Sequence, residues 1–258
     1  MIRVEQLSYA YPEHEPVLKD LSFSIRTGEK LVLLGTNGSG KTSLLKILCG
    51  LIHPSRGRYF YREEPVTRAS LRRPAFSRRF RSEVVLLFQN PETMIFNPTV
   101  FDEIAFGPRQ LGVDDLEDRV HHWAGELGIT RFLDRPPFDL SSGEKQKVCL
   151  ASILAVDPEV LLLDEPTAKL DPRSTGWLVD FLLDVPKTTI VTTHNLTMAG
   201  ELGRRTLVLS ENHELIYDGN LDRLLDDKAL LQQANLLHIH RHRHDKLEHG
   251  HYHTHDWE

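Results

Sequence analysis

The chain has 258 residues, of which 40% are hydrophobic, and its formal net charge is −6 at pH 7. This length suits one large α/β domain or two small ones with a buried core. The net negative charge supplies no global basic field, so nucleic acid is not expected as a partner. Nine arginines are concentrated between residues 56 and 81, and such a charge run is more typical of a solvated or subunit-facing surface.

Two cysteines and the lack of a long apolar run indicate the compartment. Cys49 and Cys149 each lie in an apolar, helix-like context, where a cysteine usually acts as a small buried hydrophobe in a reducing, cytosolic environment. No apolar run approaches the eighteen or so residues that a transmembrane helix needs. We therefore expect any work at a membrane to go through a partner.

Two kinds of apolar pattern predict two kinds of strand. Residues 2–7 and 21–25 alternate apolar and polar side chains, which is the period of half-buried strands and predicts an antiparallel β-layer. Short continuous apolar runs at 84–88, 160–163 and 189–191 predict central strands of a parallel sheet that is covered on both faces.

The remaining regions are a helical insertion and a tail. Between about residues 98 and 157 the spacing of apolar residues is helical, with a break at Pro136 and Pro137. A helix-like segment at 230–237 then precedes a histidine-rich tail. With few sizeable apolar side chains, this tail cannot bury enough surface to order itself, so we expect residues 238–258 to be disordered.

The most informative segment is 35–42, which reads Gly-Thr-Asn-Gly-Ser-Gly-Lys-Thr between an apolar run and a helix-like stretch. This context predicts a phosphate-binding loop rather than a chance glycine turn. Gly35 and Gly40 leave room for backbone N–H groups to converge on a β-phosphate, Lys41 would add a charge at the β and γ oxygens, and Thr42 would hold Mg²⁺. The residues predicted to contact the nucleotide here are Gly35, Thr36, Asn37, Gly38, Ser39, Gly40, Lys41, Thr42 and Ser43.

Polar residues also follow the other predicted central strands. Asp164 and Glu165 end one strand, where Asp164 would hold Mg²⁺ and Glu165 would orient or deprotonate the water that attacks the γ-phosphate. Gln89 follows another strand and could ligate Mg²⁺ or position water, and His194 follows a third and could sense the γ-phosphate. A solvated turn and a structural histidine are the alternatives. The predicted catalytic residues are Glu165, His194, Gln89 and Lys41.

Residues 140–147 read Leu-Ser-Ser-Gly-Glu-Lys-Gln-Lys and open a predicted helix. Here the chain resembles the ATP-binding cassette family, whose signature reads Leu-Ser-Gly-Gly-Gln. The match is collinear over nearly all of residues 1–225 and includes a D-loop at 168–171. The Ser141 hydroxyl and the Gly143 N–H at this helix N-terminus form a second anion site. The resemblance implies that this site caps the γ-phosphate on another subunit, so hydrolysis needs a homodimer or heterodimer.

The resemblance implies an α/β fold with a P-loop NTPase (RecA-like) parallel-sheet core, an N-terminal antiparallel β-subdomain and a helical subdomain at about 90–157. The ATPase domain would span 1–226, followed by an extension at 227–258 that contains the histidine-rich tail. The cofactors would be ATP and Mg²⁺, and adenine would stack on Tyr11, for which a core tyrosine is the alternative. Further nucleotide contacts would come from Ser141, Ser142, Gly143, Glu144 and Asp171.

Three residues depart from the family pattern. Ser142 replaces the first signature glycine, Glu144 replaces the glutamine, and Ala168 replaces the usual D-loop serine. A serine with ordinary φ/ψ can still present its N–H group. We therefore expect an altered rate or coupling and an active site that still works.

The segment 88–92, Phe-Gln-Asn-Pro-Glu, together with 97–100 and 105–108, resembles the ATPase subunit of energy-coupling factor importers. The resemblance implies that a groove near Gln89 receives helices of integral-membrane subunits. It would place the chain at the cytoplasmic face of the cell membrane. Importers of this kind carry vitamins or transition-metal ions.

The histidine-rich tail bears on the cargo. In an extended chain alternate residues share one side, and imidazole suits nickel, copper, zinc and cobalt. The predicted ligands are His238, His240, His242 and His244 in one row and His249, His251, His253 and His255 in another. With the importer-like segment, they predict nickel or cobalt uptake, although a solvated low-complexity tail is the alternative.

Three other functions stay open. An ATPase for vitamin uptake would keep the same enzyme and make the tail incidental. A non-transport cassette ATPase, such as a translation factor or a DNA-repair protein, usually has a second cassette or a long coiled coil, and neither is found here. A metal-storage protein with a decayed nucleotide site would not hydrolyse ATP.

Overall fold

The computed structural model describes residues 1–168, 170–244 and 247–254, and from residue 238 onward it describes the backbone. The chain forms two compact units, Met1–Thr67 with Ile190–Glu258, and Arg68–Thr189. The strands in the described residues are β1 (Ile2–Ala10), β2 (Pro16–Ile25), β3 (Lys30–Leu34), β4 (Arg56–Tyr61), β5 (Glu64–Pro65), β6 (Val84–Leu87), β7 (Val160–Asp164), β8 (Thr188–Thr193), β9 (Arg205–Leu209), β10 (Leu215–Asn220), β11 (Leu237–His244) and β12 (Leu247–Thr254). The α-helices there are α1 (Lys41–Leu48), α2 (Pro74–Glu83), α3 (Val100–Leu111), α4 (Leu116–Glu126), α5 (Ser142–Leu154), α6 (Pro172–Asp184), α7 (Leu196–Leu202), α8 (Leu221–Asp226) and α9 (Lys228–Gln233).

The first unit begins with the predicted antiparallel β-layer, in the order β2, β1, β4, β5. Ile2, Val4 and Leu7 of β1 are buried, and burying such a side chain contributes about 1.5–3 kcal/mol relative to leaving it exposed. The step from Val4 to Leu7 breaks the period of two. A β-bulge between them, with Gln6 at φ 48°, returns Leu7 to the buried face.

The same unit contains strands β10, β9, β3 and β8 in this order. Strand β3 pairs in parallel with β9, and Leu31 stands opposite Arg205 in their register. Residues 31–34 of β3 are all buried, because strands in the middle of such a sheet are covered on both faces. This buried strand leads directly into the predicted phosphate loop, which α1 follows.

The second unit pairs β6 and β7 in parallel, as the apolar runs predict, with Val84 opposite Val160. Helices α3, α4 and α5 fill the predicted helical region. Helix α3 begins after Thr99, whose side chain accepts a hydrogen bond from the Asp102 N–H, and ends at Gly112 in the left-handed region. Between α4 and α5 the chain makes two short 3₁₀ helices, Thr130–Phe132 and Pro137–Asp139.

Helix α2 was not predicted, because three of its ten residues are arginine and only two are large and apolar. Only Phe76 and Phe80 among its ten residues are buried, so the apolar pattern is too sparse to indicate a helix. Pro74 at its first position and the apolar pair four residues apart are the signals that could have found it. Three arginines of the cluster, Arg78, Arg79 and Arg81, thus lie on the exposed face of this helix.

The described part of the tail contains two strands, and the prediction of disorder for residues 238–258 stays a prediction. Strands β11 and β12 pair antiparallel, from Leu237 opposite Thr254 to His244 opposite Leu247. A hairpin satisfies its backbone N–H and C=O groups between its own two strands, which a judgement based on side-chain burial does not count. His255 lies outside the described residues.

Both cysteines are free. Burial raises the pKa of the Cys149 thiol to about 12 and that of Cys49 to about 11. This fits their predicted role as small hydrophobes, with Cys149 fully buried and Cys49 partly so. None of the helices in the described part of the chain has the length and apolar character needed to cross a bilayer.

Candidate active site

The loop at residues 35–40 in the first unit has a backbone that only glycine can adopt at two points. A Cβ on Gly40, at φ 110°, would lie 2.4 Å from the Val17 carbonyl oxygen. A Cβ on Gly35, at φ 158°, would lie 2.5 Å from Ser39 Oγ. Both approaches are far inside van der Waals contact, so these glycines let the loop fold tightly on itself.

Lys41 is buried at the start of α1. Its ammonium group donates hydrogen bonds to the carbonyl oxygens of Gly35, at 2.7 Å, and Thr36, at 3.2 Å. A buried lysine held by loop carbonyls is positioned to exchange these partners for phosphate oxygens, which are better acceptors for a cation.

Other polar groups of the loop also fit a phosphate ligand. The Thr36 Oγ1 and Ser39 Oγ atoms are buried and have no hydrogen-bond partner among the described residues. Gly40, the N-cap of α1, provides no side-chain cap, and the positive end of the helix dipole at this N-terminus favours an anion. A buried hydroxyl without a partner is costly, and phosphate oxygens would satisfy all of these donors.

The second unit brings Gln89 and Glu165 together across 76 residues of sequence. The Gln89 side-chain Nε2 donates to Glu165 Oε2 at 3.4 Å. Asp164 ends β7 and is buried, and Glu165 after it is also buried. Glu165 has φ 42°, a left-handed conformation that is strained for a residue with a side chain and that often occurs at functional sites. A carboxylate next to an orienting amide has the chemistry of a general base.

His194 belongs to the first unit. It follows β8, the neighbour of β3 in the sheet, and Asn195 then caps α7 by accepting a hydrogen bond from the Met198 N–H at 2.9 Å. Its predicted contact with the γ-phosphate stays a prediction.

The signature residues begin α5 as a capping box. The Ser141 hydroxyl donates to Glu144 Oε2 at 2.7 Å, the Ser141 N–H donates to the same oxygen at 3.0 Å, and the Glu144 N–H donates to Ser141 Oγ at 3.4 Å. The hydrogen bonds from Ser141, assisted by the nearby charges of Arg131 and Arg135, lower the pKa of the Glu144 carboxyl. The Ser-x-x-Glu spacing could have revealed this role from the sequence.

Ser142 and Gly143 occupy different environments. Ser142 is the first residue of α5 and has no positive φ. It therefore has an ordinary backbone conformation, in which a serine can present its N–H group as glycine would. A Cβ on Gly143 would lie 3.1 Å from Ser174 Oγ. Ser174 in turn donates its hydroxyl to Asp171 at 2.7 Å, where Asp171 caps α6. Lys169 of the D-loop lies outside the described residues.

Comparisons with known proteins decide what kind of site this is. The family model described as ABC transporter matches residues 18–168. A protein of Methanosarcina acetivorans that carries the name ABC transporter ATP-binding protein is 41% identical over 251 residues, which cover 94% of this chain and 91% of that protein. The chain belongs to the ABC transporter family. It is therefore an ATP-binding subunit and an ATPase with the α/β P-loop NTPase fold, as its motifs predict.

Further relatives lie within the same family. The protein of Methanospirillum hungatei named energy-coupling factor transporter ATP-binding protein EcfA2 is 37% identical over 243 residues, which cover 92% of this chain and 59% of that protein. The solved structure of CbiO1 from Clostridium perfringens, described as part of the ABC transporter complex CbiONQ, superposes with a TM-score of 0.76 and 29% identity over 91% of this chain and 94% of that one. The dimeric cassette MJ0796 shares the fold, with a TM-score of 0.75 and 24% identity over 86% of this chain and 99% of that one.

Tyr11 of this ABC ATPase lies next to α1. Its hydroxyl is 3.2 Å from Ser43 Oγ, and its ring makes an edge-to-face contact with Tyr9 at a centroid distance of 4.9 Å. Tyr11 is partly exposed. Stacking on adenine stays a prediction.

An exposed aromatic pair follows the Gln89 segment. Phe96 is 61% exposed and Phe106 is 39% exposed, and their rings meet edge to face at 4.8 Å. The buried Glu103 carboxylate holds this segment by accepting hydrogen bonds from the Phe96 N–H at 3.0 Å and the Asn97 N–H at 2.8 Å. The sequence did not reveal this role of Glu103. An acidic residue in the first turn of a helix is usually explained by its favourable interaction with the helix dipole at an exposed position.

A cleft of about 400 Å³ adjoins Phe106. Its lining includes Pro74, Arg78 and Arg81 of α2 and Gln110 and Leu111 of α3. An exposed aromatic pair beside an apolar and basic cleft is the kind of surface that receives a protein partner.

Proposed function

We propose that this ABC ATPase is the ATP-hydrolysing subunit of a membrane importer whose cargo is a transition-metal ion, nickel or cobalt. The observation that carries the proposal concerns the segment from Gln89 to Phe96. At its start Gln89 pairs with Glu165, and at its end Phe96 is exposed. One segment thus connects the chemistry to a partner surface. Residues 1–226 form the ATPase domain, with a helical subdomain at about 90–157, and residues 227–258 form an extension.

The nucleotide site uses the roles predicted from the motifs. The loop N–H groups and Lys41 bind the phosphates, and Tyr11 stacks on adenine. Thr42, Gln89 and Asp164 would hold Mg²⁺, which would neutralise phosphate charge. Oxygen ligands of this kind suit the ion.

Hydrolysis then depends on Glu165. Its carboxylate accepts the proton of the attacking water, whose oxygen bonds to the γ-phosphorus while the bond to the bridging oxygen breaks, leaving ADP and phosphate. The Gln89 amide orients the carboxylate and the water, and His194 contacts the γ-phosphate. The strained backbone at Glu165 supports this assignment.

A second cassette completes the site. We propose that Ser141, Ser142, Gly143 and Glu144 of one copy, with Asp171, contact the nucleotide bound by the other, in a homodimer or a heterodimer. The dimer then closes when ATP binds and opens after hydrolysis, and this conformational change drives transport. The relative described as part of the CbiONQ complex supports assembly with other subunits.

The membrane partner docks on the exposed aromatic pair and the cleft beside it. Phe96 and Phe106 would be buried by a helix of the membrane subunit, and Glu103 fixes the backbone on which Phe96 stands. This places the chain peripherally at the cytoplasmic face of the membrane. The relative named as an energy-coupling factor ATPase supports this class of partner.

The tail supports a metal cargo. In the register of β11 and β12, His238, His240 and His242 stand directly opposite His253, His251 and His249, and residues directly opposite in an antiparallel pair share one face. Together with His244 and His255, they form an imidazole-rich segment that suits nickel and cobalt. Among the side chains that the structure describes, which do not include this tail, no group of three or more His, Cys, Asp or Glu could hold a metal ion.

The test is transport by the whole complex. The membrane subunits that co-purify with the tagged full chain are reconstituted into vesicles with ATP, and nickel, cobalt and vitamin accumulation are measured. We expect accumulation of one of the two metals with the wild-type chain and none with Glu165→Gln. A chain that ends at residue 237 should keep ATP hydrolysis and bind fewer Ni²⁺ ions in a titration.

The alternatives give different outcomes. ATP-driven accumulation of a vitamin without metal uptake would support the role in an importer and contradict the proposed metal cargo. Hydrolysis without any co-purifying membrane subunit would favour a non-transport ABC ATPase. Metal binding without hydrolysis would leave a storage protein.

A further inference from the structure

The turn between β9 and β10 brings a histidine to the phosphate loop. His213 Nδ1 lies 3.3 Å from the Ser39 carbonyl oxygen, although 174 residues separate the two in sequence. The turn is anchored by its backbone, because the Lys19 N–H of β2 donates to the His213 carbonyl oxygen at 2.9 Å and the His213 N–H donates to the Ser210 carbonyl oxygen at 3.0 Å. All of these residues belong to the first unit.

His213 stands at a position that would favour glycine. Its φ is 68°, in the left-handed region where a side chain is disfavoured, although His, Asn and Asp tolerate it better than most residues. Fold stability alone would therefore prefer glycine at this turn. The imidazole points back to the loop and is partly buried, so its contact with Ser39 offers a reason for a histidine here.

The Ser39 carbonyl belongs to the peptide unit that carries the Gly40 N–H. In a trans peptide the C=O and the N–H point in opposite directions. A hydrogen bond that holds the Ser39 carbonyl from one side therefore fixes the direction of the Gly40 N–H on the other. This matters because Gly38 and Gly40, at φ 85° and 110°, leave the loop backbone on both sides of Ser39 with the conformational freedom of glycine.

We propose that His213 is a positioning residue that orients the Ser39–Gly40 peptide for phosphate binding. With Nδ1 protonated, the imidazole donates to the Ser39 carbonyl and holds the Gly40 N–H toward the bound phosphate. His213 does not touch the nucleotide itself. It lowers the entropy cost of ordering the loop when ATP binds.

Two substitutions at one site separate this role from a structural one. In His213→Gly the φ becomes favourable and the donor is lost. In His213→Asn the side-chain Nδ2 is bonded to Cγ, as His Nδ1 is, so it presents a donor at the same distance from the backbone, and asparagine tolerates the left-handed region. Glu63→Gly is the matched control, because Glu63 has φ 64° in the exposed turn between β4 and β5.

The measurements are the Kd for ATP by equilibrium titration and the thermal midpoint of unfolding, on the full chain. We expect His213→Gly to raise the Kd about 3- to 10-fold, the effect of one lost hydrogen bond, with an unchanged or higher midpoint. His213→Asn should stay within about twofold of the wild type, and Glu63→Gly should not change the Kd.

Two results would overturn the proposal. One is an unchanged Kd in His213→Gly. The other is an equal loss of affinity in His213→Asn and His213→Gly, which would assign the effect to ring packing instead of the donor. The proposal rests on ATP binding by this chain, so the wild-type Kd is the reference. A wild-type chain that does not bind ATP would contradict the proposed function itself.

Discussion

Two helices of this protein begin after a glycine- or serine-containing loop, and they differ in how their N-termini are capped. Helix α1 in the first unit starts after Gly40, which offers no side-chain cap. Helix α5 in the second unit starts after Ser141, which forms a complete capping box with Glu144. At α1 no side chain of the N-cap residue caps the helix, whereas at α5 the Ser141 N–H and hydroxyl both donate to the Glu144 carboxylate and the Glu144 N–H donates to Ser141 Oγ.

The difference indicates when each site can act. The phosphate loop can bind a nucleotide within one chain, because its N-cap residue, Gly40, has no side chain that would occupy the N-terminus of α1. At α5 an incoming phosphate must compete with Glu144 for the Ser141 hydroxyl, and the lowered pKa of Glu144 keeps it ionised at neutral pH. We infer that the signature site engages only when the nucleotide arrives on a second subunit with enough other contacts to displace this carboxylate.

The largest expected effect separates binding in the first unit from chemistry in the second. Glu165→Gln should lower kcat for ATP hydrolysis about 10²- to 10⁴-fold, since it removes the general base, and should leave the Kd for ATP within about threefold, because the donors of the phosphate loop are unchanged. Steady-state hydrolysis and equilibrium titration measure the two quantities. Glu201→Gln, at an exposed position of α7, is the control. Full hydrolysis in Glu165→Gln would assign the base to another residue.

The next effect concerns the open helix. Lys41→Ala should weaken ATP binding about 10- to 100-fold, the range for a lost charge-assisted hydrogen bond. Lys46→Ala in the last turn of the same helix α1 removes an equal charge away from the loop and should leave the Kd unchanged. Circular dichroism should show that both variants are folded. A folded Lys41→Ala variant with wild-type affinity would contradict the role of this residue.

The smallest effect concerns the capped helix. Glu144→Gln keeps a capping-box side chain but removes the negative charge, so ATP-dependent dimerisation should strengthen about 2- to 5-fold, in line with about 0.3–1 kcal/mol for a charge at a helix N-terminus. Sedimentation with Glu165→Gln in the background measures this association. Glu117→Gln in the first turn of α4 is the matched control and should have no effect on it.

The same variant has a predicted pH dependence. The folded-state pKa of Glu144 is lowered, so its contribution to stability is present above the unfolded-state pKa of about 4.3 and is lost as pH falls through the folded-state value. The stability difference between the wild type and Glu144→Gln should therefore shrink in acid. A difference that grows as pH falls would show that the carboxylate is not held by Ser141.

Much of the fold could be predicted from the sequence because it depends on local patterns. The apolar runs that became β6 and β7 are continuous because both faces of these strands are covered. Helix α2 escaped prediction because it buries only two phenylalanines. The hairpin of β11 and β12 escaped prediction because backbone pairing, unlike side-chain burial, has no compositional signal.

The residues of the candidate site likewise divide into those whose role the sequence predicts and those whose role it does not. The glycine spacing from Gly35 to Gly40 can be read directly, since left-handed φ values and close backbone approach demand glycine whatever surrounds the loop. The roles of Glu103 and His213 could not be read. Each depends on which backbone groups lie within hydrogen-bond reach, and neither belongs to a recognisable spacing.

By itself, the sequence predicted a phosphate-binding loop at residues 35–42, because its glycine spacing lies between a strand signal and a helix signal. The resemblance to the ABC family came from the signature at residues 141–144 and the collinear motifs around it. Only the tertiary structure decided that Gln89 meets Glu165 and that His213 reaches Ser39. These pairs are separated by 76 and 174 residues. Their contacts are set by strand pairing and turn geometry, which no local pattern of side chains specifies.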